Sequence, residues 1–187
     1  MDEMMLLRMS LEDLSGFVRT GNASRDQGLP AGYSFRMYTP GMEEDWIRIQ
    51  DEADDYIKAD KNLFKEEFGR HRGELPRRML FLAHHETLVG TATAWLDNIY
   101  GETGTGRLHW VAIVPEYQGK GLAAPLVSRV MSIFPDLGCS RAFLLTNAVR
   151  ITAISLYLKL GFNPVFRNPE EQEAWEEILG IIKSLRM

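Results

Sequence analysis

The sequence contains one cysteine and no long hydrophobic run. Cys139 stands alone among 187 residues, so an internal disulfide is excluded, and its neighbours Gly138 and Ser140 provide no histidine to activate a thiolate. No apolar stretch approaches the ~18 residues of a membrane-spanning helix. The first residues lack the basic flank and apolar run of a signal peptide. These absences predict a soluble, cytoplasmic protein that does not bind a membrane.

Basic residues are also in the minority. Lysine and arginine total 21 against 26 aspartates and glutamates, which gives a net charge of −5 and a pI near 5.4. A nucleic-acid partner would require a basic patch, so this class of partner is excluded. Histidine is scarce as well. His84 and His85 share a predicted hairpin turn, and His71 has no cysteine or carboxylate at metal-ligand spacing, so we expect no metal site.

The sequence does contain enough apolar residues, 45% of the chain, to form the core of one globular domain. Residues 1–32 are predicted to form an N-terminal arm and linker that packs on this domain, because an apolar start is followed by a polar, glycine-rich stretch. Residues 33–187 are predicted to form the single domain. Its last element is a helix over 168–185, with Asn168 as the cap and Pro169 in the first position.

Hydrophobic periodicity predicts an alternation of strands and helices. The predicted strands are 33–38, 78–83, 88–95, 107–114 and 141–147, and the helices before the last one are 42–57, 63–68, 122–134 and 150–162. A further short strand is expected between the last two helices. This order predicts an α/β or α+β sandwich with helices packed around one mixed sheet.

The segment PEYQGKGLAAPL, residues 115–126, joins a strand to a helix through a glycine-rich turn. Backbone N–H groups at the positive end of a helix dipole form an anion site. Gly119 and Gly121 let a phosphate approach the main chain closely, and Pro125 fits only near the start of a helix, which leaves free amides at residues 119–124. Local composition leaves a second interpretation open, in which the glycines only form a tight corner.

Two named phosphate motifs fit this turn poorly. A Walker loop is excluded because Lys120 precedes Gly121 and no serine or threonine follows it. A dinucleotide fingerprint matches in part, with Ala124 at the third glycine position. However, no strand followed by a carboxylate at the required distance supports a ribose contact. A nicotinamide-dependent oxidoreductase is therefore the weaker alternative.

Two motifs together resemble the GNAT superfamily of N-acyltransferases. QGKGLA, residues 118–123, matches the signature Q/R-x-x-G-x-G/A, and AISLYLKLGF, residues 153–162, resembles the late helix whose tyrosine lies near the thioester. The resemblance covers residues 33–166 in the order of elements. It implies a GNAT fold of the α/β (α+β) class, in which a central mixed, mostly antiparallel, splayed sheet is flanked by helices on both faces.

The resemblance also implies an N-acetyltransferase that uses acetyl-CoA. The acetyl group would pass to a primary amine by direct attack in a ternary complex. In this interpretation, the pyrophosphate of coenzyme A is bound by the turn residues Gln118, Gly119, Lys120, Gly121, Leu122, Ala123 and Ala124. The pantetheine arm and acetyl group are held by Val111, Ala112, Ile113 and Asn147.

Tyr157 occupies the position of the general acid in the family that the chain resembles. A phenol with an ordinary pKa of ~10 is protonated at neutral pH and can donate to the departing thiolate. The alternative is a tyrosine that only packs against the pantetheine. The base departs from the family pattern, since Arg107 stands where many relatives carry glutamate, and arginine cannot act as a base near neutral pH.

Strand alternation places Arg107, His109, Val111 and Ile113 on one face, with Trp110 on the other face and assigned to the core. His109 is then the nearest titratable group on the substrate side, and we hypothesise that it accepts the amine proton directly or through water. A structural histidine is the alternative. Arg150 is a second departure, because many relatives have asparagine there. It is expected to cap the strand–helix junction or to meet a carboxylate.

The acceptor amine is not identified by the sequence. Asp51, Glu52, Asp54 and Asp55 could attract a cationic amine, or they could form an ordinary solvated helix face. A small-molecule or peptide amine fits equally well. The missing glutamate leaves a second function open, that of a non-catalytic module of the same fold that binds or senses acyl-CoA. The apolar arm and the C-terminal helix offer surfaces for a homodimer.

Overall fold

A computed structural model describes residues 5–17, 28–54, 56–96 and 103–185. The strands are β1 (Leu6–Leu11), β2 (Tyr33–Met37), β3 (Met79–His84), β4 (Thr87–Trp95), β5 (Thr105–Ile113), β6 (Arg141–Asn147) and β7 (Asn163–Val165). The helices are α1 (Glu43–Ala53), α2 (Lys61–Phe68), α3 (Leu75–Arg78), α4 (Ala123–Met131), α5 (Ile151–Lys159) and α6 (Pro169–Ser184). No helix among these described residues is long and apolar enough to cross a membrane.

The strands form one sheet in the order β2-β3-β4-β5-β6-β1-β7. β5 and β6 pair in parallel, whereas the other described pairs are antiparallel. Residues 88–95 of β4 are buried without exception. Because successive side chains of a strand point to opposite faces, both faces of the sheet are covered at its centre. The predicted mixed, mostly antiparallel sheet flanked by helices is confirmed.

The first strand is the main difference from the predicted elements. Leu6–Leu11, part of the predicted arm, forms β1, which lies between β6 and β7 and pairs with both. Leu7, Met9 and Leu11 are buried, so every second residue of this segment faces the core, as expected for a strand. Residues 18–27 of the predicted linker lie outside the described residues. The division of the chain at residue 32 stays a prediction.

Three helices end earlier than their periodicity predicted. α5 ends at Lys159 and not at residue 162. α1 ends at Ala53 instead of residue 57, and α4 ends at Met131, so that Phe134 lies beyond it. Gly161 adopts φ +92° two residues after the last residue of α5. The predicted cap of α6 is present, since the Asn168 side chain accepts a 2.8 Å hydrogen bond from the Glu171 N–H.

Candidate active site

The strands β5 and β6 separate halfway along their length. Their pairing runs from Thr105 with Arg141 to Leu108 with Leu144, and no pair between the described residues of these strands follows. β5 continues to Ile113 and β6 to Asn147. The gap between them is therefore lined by the backbone of Val111, Ala112 and Ile113 on one side and by Asn147 on the other. Backbone groups that face such a gap must bond to water or to a ligand.

The glycine-rich turn begins where β5 ends. The Gln118 side chain closes the turn, since its Nε2 donates to the Ile113 carbonyl over 2.8 Å. Gly119 and Gly121 adopt φ +71° and +76°, values that L side chains rarely adopt. A Cβ added at either glycine would meet no heavy atom within 4 Å outside its immediate chain neighbours. The space beside the turn is open, and neither glycine is required by packing within the described part of the chain.

The turn leads directly into α4, which starts at Ala123 and carries Pro125 in its first turn. The N–H groups of residues 119–124 therefore lie at or just before the N-terminus of a nine-residue helix. A cleft of ≈ 300 Å³ lies next to the start of the turn and is lined by Glu52, Val114, Pro115 and Glu116. Open space, positive-φ glycines and a helix N-terminus together form a site with the chemistry of a phosphate cradle.

A β-bulge interrupts β5 beside the gap. The register between β4 and β5 shifts between Thr91 and Thr93, and Trp110 adopts φ +51°. The side chain of Gln50 on α1, which is only 4% exposed, donates from Nε2 to the Trp110 carbonyl over 3.1 Å. A non-glycine residue at positive φ costs ~1–3 kcal/mol, and such strain is concentrated at functional sites. The bulge thus fixes the path of the backbone that lines the gap.

This bulge corrects the prediction that strict alternation separates His109 from Trp110. His109 Nε2 lies 2.8 Å from Glu67 Oε2, and Trp110 Nε1 donates to the same oxygen over 3.0 Å. Both side chains therefore reach the same group on α2. Trp110 also packs against the core, with its ring 5.2 Å from that of Trp46. Trp110 is thus half-buried, and it lies between the core and the candidate site.

Glu67 was missed by sequence reasoning. The hydrogen bond from His109 lowers its pKa, burial opposes this effect, and the bond from Trp110 adds to it. Glu67 is therefore ionised at neutral pH. Its side chain is 31% exposed, while that of His109 is 8% exposed. Glu67 stands three residues after the buried Phe64, so helical spacing could have indicated that this carboxylate faces the sheet.

Tyr157 lies on α5 and is buried, with 8% of its surface exposed. Burial raises the pKa of its hydroxyl to about 12, and the nearby charge of Arg150 opposes this effect. The hydroxyl makes no hydrogen bond to any residue that the structure describes. A phenol in this environment stays protonated well above neutral pH, which is the state that a proton donor requires.

Arg150 meets a carboxylate, one of the two roles expected for it. It forms an ion pair with Asp54, which directly follows α1, so the end of α1 is connected to the start of α5. The neighbouring carboxylates are also paired: Asp51 with Lys58 at 3.2 Å and Glu52 with Arg48 at 3.5 Å. Asp55 lies outside the described residues. These pairs neutralise much of the negative charge that could attract a cationic amine, and the ordinary solvated face is the better interpretation.

The remaining histidines lie outside the gap. His84 ends β3, stacks on Tyr33 at 4.6 Å and contacts the Tyr117 hydroxyl through Nδ1 at 3.2 Å. His85 follows it in the hairpin turn with φ +52°, and His71 packs edge-on against Trp95. Within the described ranges, no group of three or more histidine, cysteine, aspartate or glutamate residues is placed to hold a metal ion.

Comparison with known proteins agrees with this arrangement. The model of the acetyltransferase (GNAT) family matches residues 41–162. The chain is 28% identical over 143 residues to a mycothiol acetyltransferase of Pseudarthrobacter chlorophenolicus, a match that covers 73% of this chain and 44% of the relative. The chain thus spans less than half the length of that curated relative.

Solved structures are similar in fold. A GCN5-related N-acetyltransferase from Sphaerobacter thermophilus superposes with a TM-score of 0.65 and 19% identity, covering 86% of this chain and 48% of that one. The ribosomal-protein-S18-alanine N-acetyltransferase from Escherichia coli superposes with a TM-score of 0.59 and 19% identity, covering 72% of this chain and 79% of that one. At this identity the two structures establish the fold alone.

Proposed function

The chain belongs to the GNAT acetyltransferase family, and from this premise we propose that it is an N-acetyltransferase that transfers an acetyl group from acetyl-CoA to a primary amine. The observation that carries this proposal is the phosphate cradle at the gap between β5 and β6. Gly119 and Gly121 hold positive φ with open space beside them. A ligand with a pyrophosphate at the turn and a thin arm in the gap fits both features.

The residues available for acetyl-CoA follow from this geometry. The amides of residues 119–124 would hold the pyrophosphate at the start of α4. The backbone of Val111, Ala112 and Ile113, with Asn147 opposite, would hold the pantetheine arm. The thioester supplies an activated acetyl group, and the remaining steps depend on side chains of this chain.

Two proton transfers accompany the reaction. The amine nitrogen attacks the thioester carbonyl, the new C–N bond forms and the C–S bond breaks. The amine gives up one proton, which we assign to His109 directly or through water, and the departing sulfur gains one, which we assign to the Tyr157 hydroxyl. His109 directly precedes the bulge in β5 and Tyr157 is protonated at neutral pH, so each is in a suitable place or state for its role.

The acceptor is a small-molecule or peptide amine. The names of curated relatives support this range, since they include a mycothiol acetyltransferase and an N-alpha-acetyltransferase. A cytoplasmic location and a homodimer remain predictions from the sequence.

Release of free thiol from acetyl-CoA tests the proposal. The purified protein is mixed with acetyl-CoA and a panel of polyamines, amino sugars, amino acids and peptides with free N-termini. Thiol release that depends on one amine class, with mass spectrometry showing the acetylated amine, is the expected result. Tight binding of acetyl-CoA without thiol release for any amine would instead favour the non-catalytic module.

Tyr157→Phe tests the acid. It should lower kcat by about 10²–10⁴-fold while the Kd for acetyl-CoA changes little, because the ring is kept and only the hydroxyl is lost. Tyr56→Phe is a matched control, since Tyr56 is 55% exposed. Unchanged turnover in Tyr157→Phe would remove Tyr157 from the mechanism.

A further inference from the structure

One oxygen of Glu67 accepts hydrogen bonds from two consecutive residues of β5. His109 Nε2 is 2.8 Å and Trp110 Nε1 is 3.0 Å from Glu67 Oε2. These two residues stand directly after Leu108, the last residue of β5 paired with β6, and at the bulge between β4 and β5. One carboxylate on α2 therefore accepts hydrogen bonds from β5 at the position where β5 and β6 separate.

We propose that Glu67 is a positioning residue, which fixes the proton of His109 on Nε2 and holds the imidazole, the proposed acceptor of the amine proton, at the point where the gap between β5 and β6 opens. This inference rests on the proposed function. It assigns a role to a residue of α2 that corresponds to no part of the two motifs in the sequence. It also gives the site a carboxylate. On β5, Arg107 occupies the position at which many members of the family carry glutamate.

The assignment of the tautomer follows from the charge of Glu67. An ionised carboxylate has no proton to donate, so the 2.8 Å contact requires the hydrogen to be on the imidazole Nε2. A neutral imidazole with its proton on Nε2 has its basic lone pair on Nδ1. A carboxylate that holds one nitrogen of a histidine orients the ring and stabilises the imidazolium that forms when the other nitrogen takes a proton.

The surroundings of the pair strengthen this charge effect. His109 is 7% exposed and lies among the rings of Phe68, Trp95 and Trp110. Removal of water makes a nearby charge more effective. The hydrogen bond from His109 has the largest effect on the pKa of Glu67 and lowers it, and the charge of Arg107 adds a smaller effect in the same direction. The ionised carboxylate is the state that orients His109.

The bond to Trp110 connects proton transfer to the lining of the gap. Trp110 holds φ +51°, its carbonyl is bound by Gln50 from α1 and its indole N–H is bound by Glu67 from α2. The position of Val111 and Ala112, directly after it, depends on this conformation. Glu67 is thus connected both to the proton acceptor and to the backbone proposed to hold the thioester.

The tautomer can be measured without any substrate. Long-range ¹H–¹⁵N correlation spectra of the full chain distinguish Nε2–H from Nδ1–H, and a His109→Gln variant assigns the signal among the four histidines. The expected result is an Nε2–H signal for neutral His109 in the wild type and a mixture of tautomers in Glu67→Gln. Glu66→Gln, which changes an exposed neighbour on α2, should match the wild type. Nδ1–H in the wild type would overturn the proposal.

Kinetics give a second and independent readout, once an amine substrate is known. In Glu67→Gln the acid limb of the pH profile of kcat/KM should move to lower pH, because the imidazolium loses its neighbouring negative charge. The value of kcat should fall by about 10- to 100-fold, and Glu66→Gln should retain wild-type values. Glu67→Asp keeps the charge, so its acid limb should stay closer to that of the wild type even if its kcat falls.

The two proposals fail in different ways. An unshifted acid limb in Glu67→Gln, with turnover intact, would overturn the role of Glu67 and leave the proposed function standing. Absence of turnover with every amine would overturn the proposed function, while the tautomer measurement would still decide the arrangement of Glu67 and His109. Where Glu67→Gln does not fold, the tautomer of the wild type remains decisive.

Discussion

Alanine at Gly119 should weaken coenzyme A binding more than it weakens the fold. Gly119 has φ +71°, and a Cβ there would meet no heavy atom within 4 Å apart from its chain neighbours. The protein itself therefore has room for the methyl group. The cost to the fold is the left-handed backbone conformation of a residue with a Cβ, ~1–2 kcal/mol. The added Cβ instead projects into the space that the proposal gives to the pyrophosphate.

The expected loss of affinity can be worked from the contacts at stake. A hydrogen bond from a backbone N–H to a charged phosphate contributes about 1.5–3 kcal/mol. Displacing the phosphate from one such N–H should therefore raise the Kd for coenzyme A by about 10- to 150-fold.

Gly138 provides the matched control. It has φ +79° and its Cβ would likewise meet nothing within 4 Å, but it lies after α4, away from the turn. Gly138→Ala should therefore have the same backbone cost and an unchanged Kd. Titration calorimetry with coenzyme A measures the Kd, and urea unfolding measures the free energy of unfolding. Equal Kd values for Gly119→Ala and the wild type, with both proteins folded, would refute the phosphate cradle.

Three further predictions concern stability. Burial raises the pKa of Glu43, but hydrogen bonds from Tyr38, Arg72 and the backbone together lower it from 4.5 to about 2. Glu43→Gln should therefore destabilise the fold above pH 4.5, and the difference, measured by urea unfolding, should vanish as the pH falls toward 2. The pKa of Tyr157 is raised from 10.0 to about 12 in the folded chain, so the unfolded chain loses this proton first as the pH rises. The free energy of unfolding of the wild type should therefore fall by on the order of 2–3 kcal/mol between pH 10 and 12, and that of Tyr157→Phe should not. Gly106→Ala should lower the free energy of unfolding by about 1–3 kcal/mol or more, because the new Cβ would lie 2.2 Å from the buried Phe134 ring. Gly180→Ala, in open space on α6, should not have this effect. Equal Tm values for the two variants would contradict the packing argument.

The order of elements was largely predictable because it depends on local patterns. β6 has the predicted bounds, Arg141–Asn147, and α6 starts at the predicted cap, Asn168, since alternation and capping involve neighbours in the chain. The glycines of the turn were also readable, because positive φ at Gly119 and Gly121 is a local requirement. The ends of helices were harder to predict, since Phe134 continues the hydrophobic period of α4 but lies beyond the end of that helix.

The neighbours of β1 could not be predicted in the same way. Its buried residues alternate with less buried ones, but no local feature of the sequence indicates that a strand at the start of the chain lies between β6 and β7. Such pairing joins residues far apart in sequence, for example Leu7 with Thr146. The register is decided by which buried face fits the core, and this depends on the whole sheet.

The sequence by itself determined the family, the turn with its open amides, and the presence of Tyr157 on the late helix, because each rests on letters close together in the chain. Only the tertiary structure decided what surrounds them. The bulge at Trp110 changed which side chains share a face, and folding brought Glu67 within 2.8 Å of His109 across 42 residues of sequence. A hydrogen bond between distant elements leaves no periodic trace in the sequence, because its partners meet only when α2 packs on the sheet.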